Sequence, residues 1–383
     1  MRRKLSRERA TAVIAGCLAS LLAAGPTAFA EEIERSEQHD FHLVTIAEGL
    51  EHPWGMAFLP DGGMLITERP GRLRLFKDGR LQAEAIAGTP EVVARGQGGL
   101  LDVALHPDFA DNRLVYLSYA GAGEDGVGTE VARARFDESR LEGLEVIFRA
   151  QPKTSGRNHF GSRLLFADDG TLYITLGDRY SFKEEAQNPA NHLGSIVRLN
   201  DDGSVPDDNP FVGRQDARPE IFSYGHRNVQ GLALQRATGT LWAHEHGPQG
   251  GDEVNILRPG ANYGWPAITY GIDYSGAIIS EKTSAPGMEQ PVVFWDPSIA
   301  PSGMAFYDGD RFPKWKGDLF VGALAHQHLR RLMIEGQRVV GQEELLGGLN
   351  ERIRDVRNGP DGYLYVLTDS PSGRLLRLEP AGP

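Results

Sequence analysis

A histidine and an aspartate at the open end of a predicted hairpin are the first candidates for chemistry. Residues 157–178 read RNHFGSRLLFADDGTLYITLGD, with a strand-like stretch on either side of Asp168-Asp169-Gly170, a pattern typical of a β-hairpin. A turn centred on Asp169 pairs positions whose numbers sum to about 338 or 339, which sets His159 opposite residue 179 or 180, beside Asp178. Such a carboxylate can fix the tautomer of the imidazole and favour its protonated form, as a general base requires. The alternative is a turn histidine near a solvated aspartate.

Further polar side chains recur next to other strand-like segments. Guanidinium groups bind carboxylates through parallel hydrogen bonds, so arginines at such positions are candidates for recognising an anion. Surface salt bridges for the arginines, and a turn role for the glutamine, are the competing interpretations. The residues are Gln97 in RGQGGLLD, Asn158 before the histidine, Arg227 and Asn228 in YGHRNVQG, and Arg352 and Arg354 in NERIRD.

The loop from His244 to Glu253 reads HEHGPQGGDE and is dense in possible metal ligands. Its histidines are two residues apart, whereas the HExxH zinc motif uses helical spacing, and the Gly and Pro residues here would break a helix. A tight Gly/Pro loop presents carbonyl oxygens, and Asp252 and Glu253 add carboxylates, which suit calcium better than zinc. A polar loop without a metal fits the spacing equally well. His326 and His328 are expected to form a surface pair on one strand.

One short pattern occurs six times: a small residue, an alternating strand, a turn with Asp, Gly or Pro, and a second strand. Repeats of about 45 to 75 residues that each form a small antiparallel sheet predict an all-β protein, a six-bladed β-propeller of four-stranded sheets. No long segment has the 3.6-residue period of a helix. A β-sandwich and a seven-bladed propeller are the alternatives. Loops at equivalent positions of successive blades are expected to share one channel mouth. The repeats begin at Pro53, Gly99, Gly161, Asn228, Pro301 and Ile353.

The first thirty residues are predicted to be a cleaved signal peptide. Five basic residues within positions 2–9 precede an apolar run at 13–24 and the cleavage-like sequence Ala28-Phe29-Ala30, as in secretory leaders. The run is shorter than the roughly 20 residues that span a bilayer, so no membrane span is expected. A lipoprotein box at Cys17 and twin-arginine export are less favoured. Residues 31–383 would then form a single propeller domain in the periplasm or outside the cell.

Composition excludes several functional classes. Cleavage would remove Cys17, the only cysteine, so neither disulfides nor a cysteine nucleophile are expected in the mature chain. The net charge of −12 becomes more negative without the basic leader, which argues against nucleic acids and anionic membranes as partners. An exported protein with acidic oxygens available for calcium is favoured.

Together these motifs resemble the soluble pyrroloquinoline quinone (PQQ)-dependent aldose sugar dehydrogenases related to soluble glucose dehydrogenase. The most specific segments are RGQGGLLDVALHPDF, NHFGSRLLFADDGTLYITLGD, YGHRNVQGLA and EHGPQGGDEVNILRPGANYGWP, and the resemblance extends over nearly all of residues 31–383. It implies a six-bladed propeller with PQQ at the channel mouth. It also implies oxidation of an aldose at C1 to a lactone, with hydride transfer to PQQ.

The resemblance further implies a role for each matching residue. His159 is the base that takes the proton of the C1 hydroxyl group, and Asp178 orients it. Where the family has a lysine after Gly-Ala-Leu, this chain has Ala325, so a cation that would touch the quinone is missing. The remaining assignments are PQQ contacts by Gln97, Arg227, Asn228, Arg352 and Arg354, with Arg227 also catalytic; a cofactor-holding calcium on the carbonyls of Gly247 and Pro248; and a structural calcium on Glu253 and the backbone of Tyr263.

Two other functions compete with a dehydrogenase. A calcium-dependent lactonase or related hydrolase would hold its metal with carboxylates in the channel and would not need a cluster of arginines. A non-catalytic propeller that lost its cofactor would explain Ala325 but not an intact His159 and Asp178. A dehydrogenase also needs an electron acceptor, whose identity the sequence does not indicate.

Overall fold

The chain folds into six antiparallel β-sheets, or blades, that follow one another in sequence. In the computed structural model, which describes residues 33–382, strands β1 (Ile33–Glu34) and β2 (Phe41–Leu50) precede the first repeat. The blades begin at the six repeated segments. Their strands are β3 (Pro53–Phe58), β4 (Met64–Glu68), β5 (Arg72–Lys77) and β6 (Arg80–Leu81); β7 (Leu100–Leu105), β8 (Leu114–Gly123), β9 (Gly126–Phe136) and β10 (Leu141–Arg149); β11 (Leu164–Phe166), β12 (Leu172–Thr175), β13 (Ser195–Leu199) and β14 (Ile221–Tyr224); β15 (Val229–Gln235), β16 (Thr240–Glu245), β17 (Asp252–Ile256) and β18 (Val293–Trp295); β19 (Pro301–Phe306), β20 (Leu319–Ala323), β21 (Leu329–Glu335) and β22 (Arg338–Leu345); and β23 (Ile353–Asn358), β24 (Leu364–Thr368) and β25 (Gly373–Pro380).

Helical structure is confined to short turns, as the absence of a helical period predicts. Within residues 33–382 the helices are α1 (Phe109–Asn112) and the 3₁₀ turns Lys183–Gln187, Pro313–Trp315 and Gly347–Leu349. None of them is long and apolar enough to cross a membrane.

The first strand of each blade lies innermost, next to the first strands of its two neighbours. The contacts run from β3 to β7, β11, β15, β19 and β23, and from β23 back to β3. This closed series is a ring of six blades around a central channel, and it confirms the predicted propeller against the sandwich and the seven-bladed alternatives. The first strands of all six blades begin at one end of the channel, and the second strands finish at that same end. The loops before the first strands and after the second strands therefore converge on one mouth.

The sixth blade is completed by a strand from the beginning of the described chain. β2 pairs with β25, with Phe41 opposite Pro380 and Leu50 opposite Gly373, and β1 adds two residues at the edge. The sixth blade therefore has five strands, whereas the other five have the predicted four. This pairing covers strand edges that an open ring would expose.

The hairpin of the third blade has the predicted register. Leu164 pairs with Ile174 and Phe166 with Leu172, and the backbone N–H of Ala167 donates to the carbonyl of Thr171 across the turn. The segments that precede β11 and follow β12 therefore leave the hairpin side by side at the channel mouth.

A buried ionic network fills the channel between its two ends. Nη1 of Arg163 lies 3.2 Å from Asp102 Oδ1 and 3.0 Å from Asp355 Oδ1, and Arg357 bonds both carboxylates from the far side. Gly55 makes room for this network, since a Cβ there would lie 2.4 Å from Asp102 Oδ1. The network separates a polar cavity at the mouth from a wider, mostly apolar cavity at the opposite end.

Some predictions lie outside the described residues or remain untested. The predicted signal peptide at residues 1–30 precedes the first described residue, Ile33, and the boundary of the single domain at residue 31 stays a prediction. One expectation was wrong. His326 and His328 do not form a surface pair on a strand: they precede β21 in a turn with φ of 60° at His326, and His328 is buried.

Candidate active site

His159 and Asp178 form a buried pair at the channel mouth. His159 lies in the segment before β11 and Asp178 just after β12, and their side chains meet with Nδ1 2.6 Å from Oδ1. The exposed fraction is 5% for His159 and 0% for Asp178. The hairpin register thus brings together two residues nineteen positions apart.

Three N–H donors converge on the Asp178 carboxylate. Besides the imidazole, Oδ1 accepts the backbone N–H of Tyr180 at 2.7 Å, and Oδ2 accepts Nε1–H of Trp265 at 2.8 Å. Burial would raise the pKa of Asp178, but the hydrogen bond with His159 and the other donors outweigh it, so the pKa lies below its usual value. Asp178 is therefore ionised at neutral pH and can only accept hydrogen bonds.

The protonation of His159 follows from that of its partner. Burial lowers the pKa of His159, and Arg227 adds to this effect, although Asp178 opposes it. The imidazole is thus neutral at neutral pH, with its proton on Nδ1 because an ionised carboxylate needs a donor there. Within residues 33–382 no hydrogen bond to Nε2 occurs, so this nitrogen is available to accept a proton.

Gln97 fixes the backbone of the histidine. Its Oε1 accepts the backbone N–H of His159 at 2.7 Å, and its own N–H donates to the carbonyl of Arg157. His159 has a φ of 54°, a left-handed conformation that side chains other than glycine rarely adopt. The hydrogen bond from Gln97 helps to hold the base in this conformation.

A polar cavity of about 260 Å³ opens at the channel mouth next to Gln97, Phe160 and Gly161, and neither His159 nor Asp178 is among the residues that line it. Asn228 accepts the N–H of Gly161 through Oδ1 at 3.0 Å, while its buried Nδ2 has no partner within residues 33–382. A buried amide donor without a partner is costly, so the cavity is suited to a ligand with hydrogen-bond acceptors. The cavity is lined by Trp54, Arg69, Gln97, Leu101, Phe160, Gly161, Asn228, Gln230, His246, Tyr274, Ala300, Leu324, Arg352, Arg354 and Asp369.

Three arginines face this cavity with a single carboxylate among them. Nη2 of Arg354 lies 2.6 Å from Asp369 Oδ2, Arg352 approaches the same oxygen at 3.5 Å, and the Nε of Arg354 is buried without a partner among the described residues. Arg69 donates to the carbonyl of Gly96 at 2.9 Å. Partial burial, together with the positive charges of Arg354 and Arg352, lowers the pKa of Arg69 even though Asp369 opposes it. The cluster has an excess of positive charge and is suited to a polyanion.

Arg227 lies between the base and the His244–Glu253 loop. Its carbonyl accepts the backbone N–H of Asp178 at 2.9 Å, and its Nη1 donates to the carbonyls of His246 at 3.1 Å and Gly247 at 2.6 Å. The guanidinium carbon is 5.9 Å from the ring centroid of Tyr274, which lines the cavity. Arg227 itself does not line it.

The candidate calcium ligands are only partly brought together. Gly247, Glu253 and Tyr263 line one cavity of about 10 Å³, the size of a single ion or water molecule. Burial and the nearby charge of Glu245 raise the pKa of Glu253 to about 8, as expected for two neighbouring buried carboxylates. Pro248, assigned with Gly247 to the cofactor-holding calcium, does not line this cavity, and its role stays a prediction.

The two histidines of the same loop are hydrogen-bonded to the backbone of the fifth blade. Nε2 of His246 bonds the carbonyl of Pro301 at 2.6 Å, and Nε2 of His244 bonds that of Ser302. Within residues 33–382 no group of three or more His, Cys, Asp or Glu side chains could hold a metal ion. A cation in this region would therefore depend largely on backbone carbonyl oxygens.

Sequence reasoning missed several cavity residues, among them Arg69, Asp369, Trp54 and Tyr274. Arg69 and Asp369 directly follow the second strands of the first and sixth blades, near the position that Asp178 has in the third, so comparison of the repeats could have found them. Trp54 is the second residue of the inner strand β3. Tyr274 lies in the long segment between β17 and β18, with 60% of its surface exposed, and no pattern indicated it.

Comparison with known proteins agrees with this fold. The family model for glucose / sorbosone dehydrogenase matches residues 50–377. The aldose sugar dehydrogenase YliI of Escherichia coli is 47% identical over 370 residues, which cover 95% of this chain and 96% of that protein. The crystal structure of soluble aldose sugar dehydrogenase from Escherichia coli in the apo form has a TM-score of 0.86 at 46% identity, over 89% of this chain and 99% of that one. The PQQ-bound aldose sugar dehydrogenase from Streptomyces coelicolor has a TM-score of 0.74 at 30% identity, over 88% and 98% of the two chains. The chain belongs to the glucose / sorbosone dehydrogenase family and is an oxidoreductase of the sugar dehydrogenase class.

Proposed function

We propose that this protein oxidises aldose sugars at C1 to lactones, with PQQ and calcium as cofactors and His159 as general base. The observation that carries the proposal is a neutral imidazole, backed by the ionised carboxylate of Asp178 at 2.6 Å, whose neighbours Gln97 and Phe160 line a cavity with excess positive charge. A base and an anion-binding surface at one mouth are what this chemistry requires.

The residues around the cavity fit PQQ, a flat cofactor with several carboxylates. Arg352 and Arg354, with Arg69, would pair with carboxylates, and the unpartnered Nδ2 of Asn228 would donate to an oxygen. Gln97 lines the same cavity. The PQQ-bound relative from Streptomyces coelicolor supports the assignment. When bound, PQQ supplies the acceptor for the hydride that leaves C1.

The residues of this chain supply proton transfer and orientation. Nε2 of His159 takes the proton of the C1 hydroxyl group, and the resulting imidazolium is stabilised by Asp178, which already accepts the Nδ1 proton. As the C–H bond breaks, the C1 oxygen becomes the carbonyl oxygen of the lactone. Arg227, whose backbone is hydrogen-bonded to Asp178, adds positive charge close to His159, where it would favour charge developing on the C1 oxygen.

Calcium is proposed on the loop that carries Gly247. Glu253, Gly247 and Tyr263 border one small cavity, and carboxylate and carbonyl oxygens suit calcium. Glu253 and the backbone of Tyr263 are proposed for a structural ion, and the carbonyls of Gly247 and Pro248 for the ion that holds the cofactor. The Gly247 carbonyl also accepts Nη1 of Arg227. A cation bound to the Gly247 carbonyl would therefore lie close to Arg227, which neighbours the proposed base His159.

The two competing functions are less well supported. A lactonase needs carboxylates in the channel that are free to bind calcium, but Asp102 and Asp355 are paired with Arg163 and Arg357. A binding module without chemistry would not need the buried His159 pair, since burying an ionised carboxylate is costly unless it is hydrogen-bonded.

Export and domain organisation are proposed from the sequence. The leader-like residues 1–30 favour a periplasmic or secreted protein, with residues 31–383 as one propeller domain. Aldoses are the proposed substrates, and the electron acceptor is a separate small molecule or protein.

Reconstitution of the purified apoprotein tests the proposal. Reduction of an artificial dye by a panel of aldoses should appear only when both PQQ and calcium are added, and should be lost in His159→Ala. The control His106→Gln lies at the opposite end of the channel and should keep full activity. Activity after exhaustive chelation and without PQQ, or in His159→Ala, would overturn the assignment.

A further inference from the structure

Two consecutive residues after Asp178 have an unusual backbone conformation. Arg179 has a φ of 58° and Tyr180 a φ of 67°, in the left-handed region where a side chain is disfavoured. Backbone strain of this kind persists only where surrounding contacts impose it, and it concentrates at functional sites.

Specific contacts impose this conformation. The backbone N–H of Tyr180 donates to Asp178 Oδ1 at 2.7 Å. The buried guanidinium of Arg179 donates to the carbonyls of Gly156 and Asn158, and its central carbon lies 3.6 Å from the ring centroid of Phe160. These contacts hold the segment from both sides and fix the orientation of the Tyr180 side chain.

That side chain is an aromatic ring that the fold does not use for packing. Tyr180 is 48% exposed, and its ring meets the imidazole of His159 edge to face, with centroids 5.2 Å apart and an angle of 75°. Its hydroxyl group has no hydrogen-bond partner within residues 33–382. A strained backbone thus holds a half-exposed ring beside the proposed base.

We propose that Tyr180 is a substrate-binding residue whose ring packs against the pyranose ring of the aldose. This inference rests on the proposed function. A sugar whose C1 hydroxyl group reaches Nε2 of His159 must place its ring beside the imidazole, within reach of an aromatic side chain 5.2 Å away. The ring of Tyr180 offers an apolar surface to the C–H groups of a pyranose, and its hydroxyl group can bond a sugar hydroxyl.

Steady-state kinetics of three variants test this role in the reconstituted enzyme. For D-glucose and D-galactose, Tyr180→Ala and Tyr180→Gly should raise KM about tenfold, the loss expected for one aromatic contact. The value of kcat and the affinity for PQQ, measured by tryptophan fluorescence titration, should stay within about twofold of the wild type. Tyr180→Phe keeps the ring and should retain most of the affinity for sugar.

Two controls separate a substrate role from a structural one. Glycine tolerates a positive φ, so Tyr180→Gly should melt at the same or a higher temperature than the wild type. Val340→Ala, at a residue 50% exposed on the fifth blade, should change no kinetic constant.

The outcomes are distinguishable. An unchanged KM in Tyr180→Ala, a lower kcat at constant KM, weaker PQQ binding, or a lower melting temperature of Tyr180→Gly would each overturn the inference. If the wild type itself fails to oxidise any aldose with PQQ and calcium, the proposed function fails, and the Tyr180 assignment fails with it.

Discussion

Replacement of Asp178 by asparagine is the sharpest perturbation of the proposed base. The substitution keeps the size of the side chain but removes its charge and one acceptor oxygen. At present the carboxylate receives donors from His159 and Tyr180 on Oδ1 and from Trp265 on Oδ2. An amide has one oxygen and one NH₂ group, so it cannot accept from both sides.

Both orientations of the amide are unfavourable. If its oxygen faces His159, the NH₂ group meets the indole N–H of Trp265, and that buried donor loses its partner at a cost of about 1–3 kcal/mol. If the amide is reversed, the NH₂ group faces Nδ1 and favours the tautomer with its proton on Nε2, which cannot act as a base. We expect Asp178→Asn to lower kcat by about 10²- to 10⁴-fold, the range for losing an oriented general base.

The pH dependence of kcat/KM provides a second, independent test of the prediction. Burial already lowers the pKa of His159, so wild-type kcat/KM should rise with pH through a value below 6.5 and then level off. Asp178 raises that pKa by stabilising the imidazolium, so its loss should shift the acid limb to lower pH while the plateau falls.

Dye-reduction assays between pH 4.5 and 8.5 would measure both effects. Asp168→Asn is the control, because Asp168 forms an exposed ion pair with Arg236, and such pairs contribute little. An acid limb that moves to higher pH, or a plateau within threefold of the wild type, would refute the reasoning about the buried pair.

Three further predictions concern the cofactors. Arg69→Gln should weaken PQQ binding to the apoprotein about tenfold, as loss of one charge-assisted hydrogen bond predicts; unchanged affinity in a fluorescence titration would show that Arg69 only supports Gly96. Ala325→Lys should tighten PQQ binding by adding a cation next to Leu324 at the cavity, and an equal or weaker affinity would mean that the existing arginines suffice. Calcium should raise the melting temperature of the wild type by several degrees, since a bound ion stabilises the native state, and Glu253→Gln should abolish that gain.

Local pattern was sufficient to predict the blades and the proximity of His159 to Asp178. The alternation and turn of the third repeat fix the register of β11 and β12, and this register alone sets His159 beside Asp178. The six repeated segments likewise predicted the inner strands, because each is a short-range signal that recurs. Equivalent positions in the repeats then indicated that Gln97, Asn228 and the arginines would share one mouth.

Features that depend on pairing between segments far apart in the sequence could not be predicted from local patterns. The pairing of β2 with β25 joins segments more than 300 residues apart, and no local signal distinguishes β2 from an ordinary edge strand. Arg69 and Asp369 follow strands at corresponding positions of two repeats, but only closure of the ring shows that they meet in one cavity. Which residues of the His244–Glu253 loop line one cavity depends on the path of a loop rich in glycine, whose conformation composition does not determine.

The ionic network in the channel has a consequence for the order of events in a catalytic cycle. Because Arg163, Asp102, Asp355 and Arg357 obstruct the axis, sugar cannot enter from one side of the ring while product leaves from the other. Under the proposed function, the sugar, the lactone and the oxidant that regenerates the enzyme would all pass through one opening. They would not occupy it together, which favours a two-stage, substituted-enzyme cycle in which the lactone leaves before the oxidant arrives.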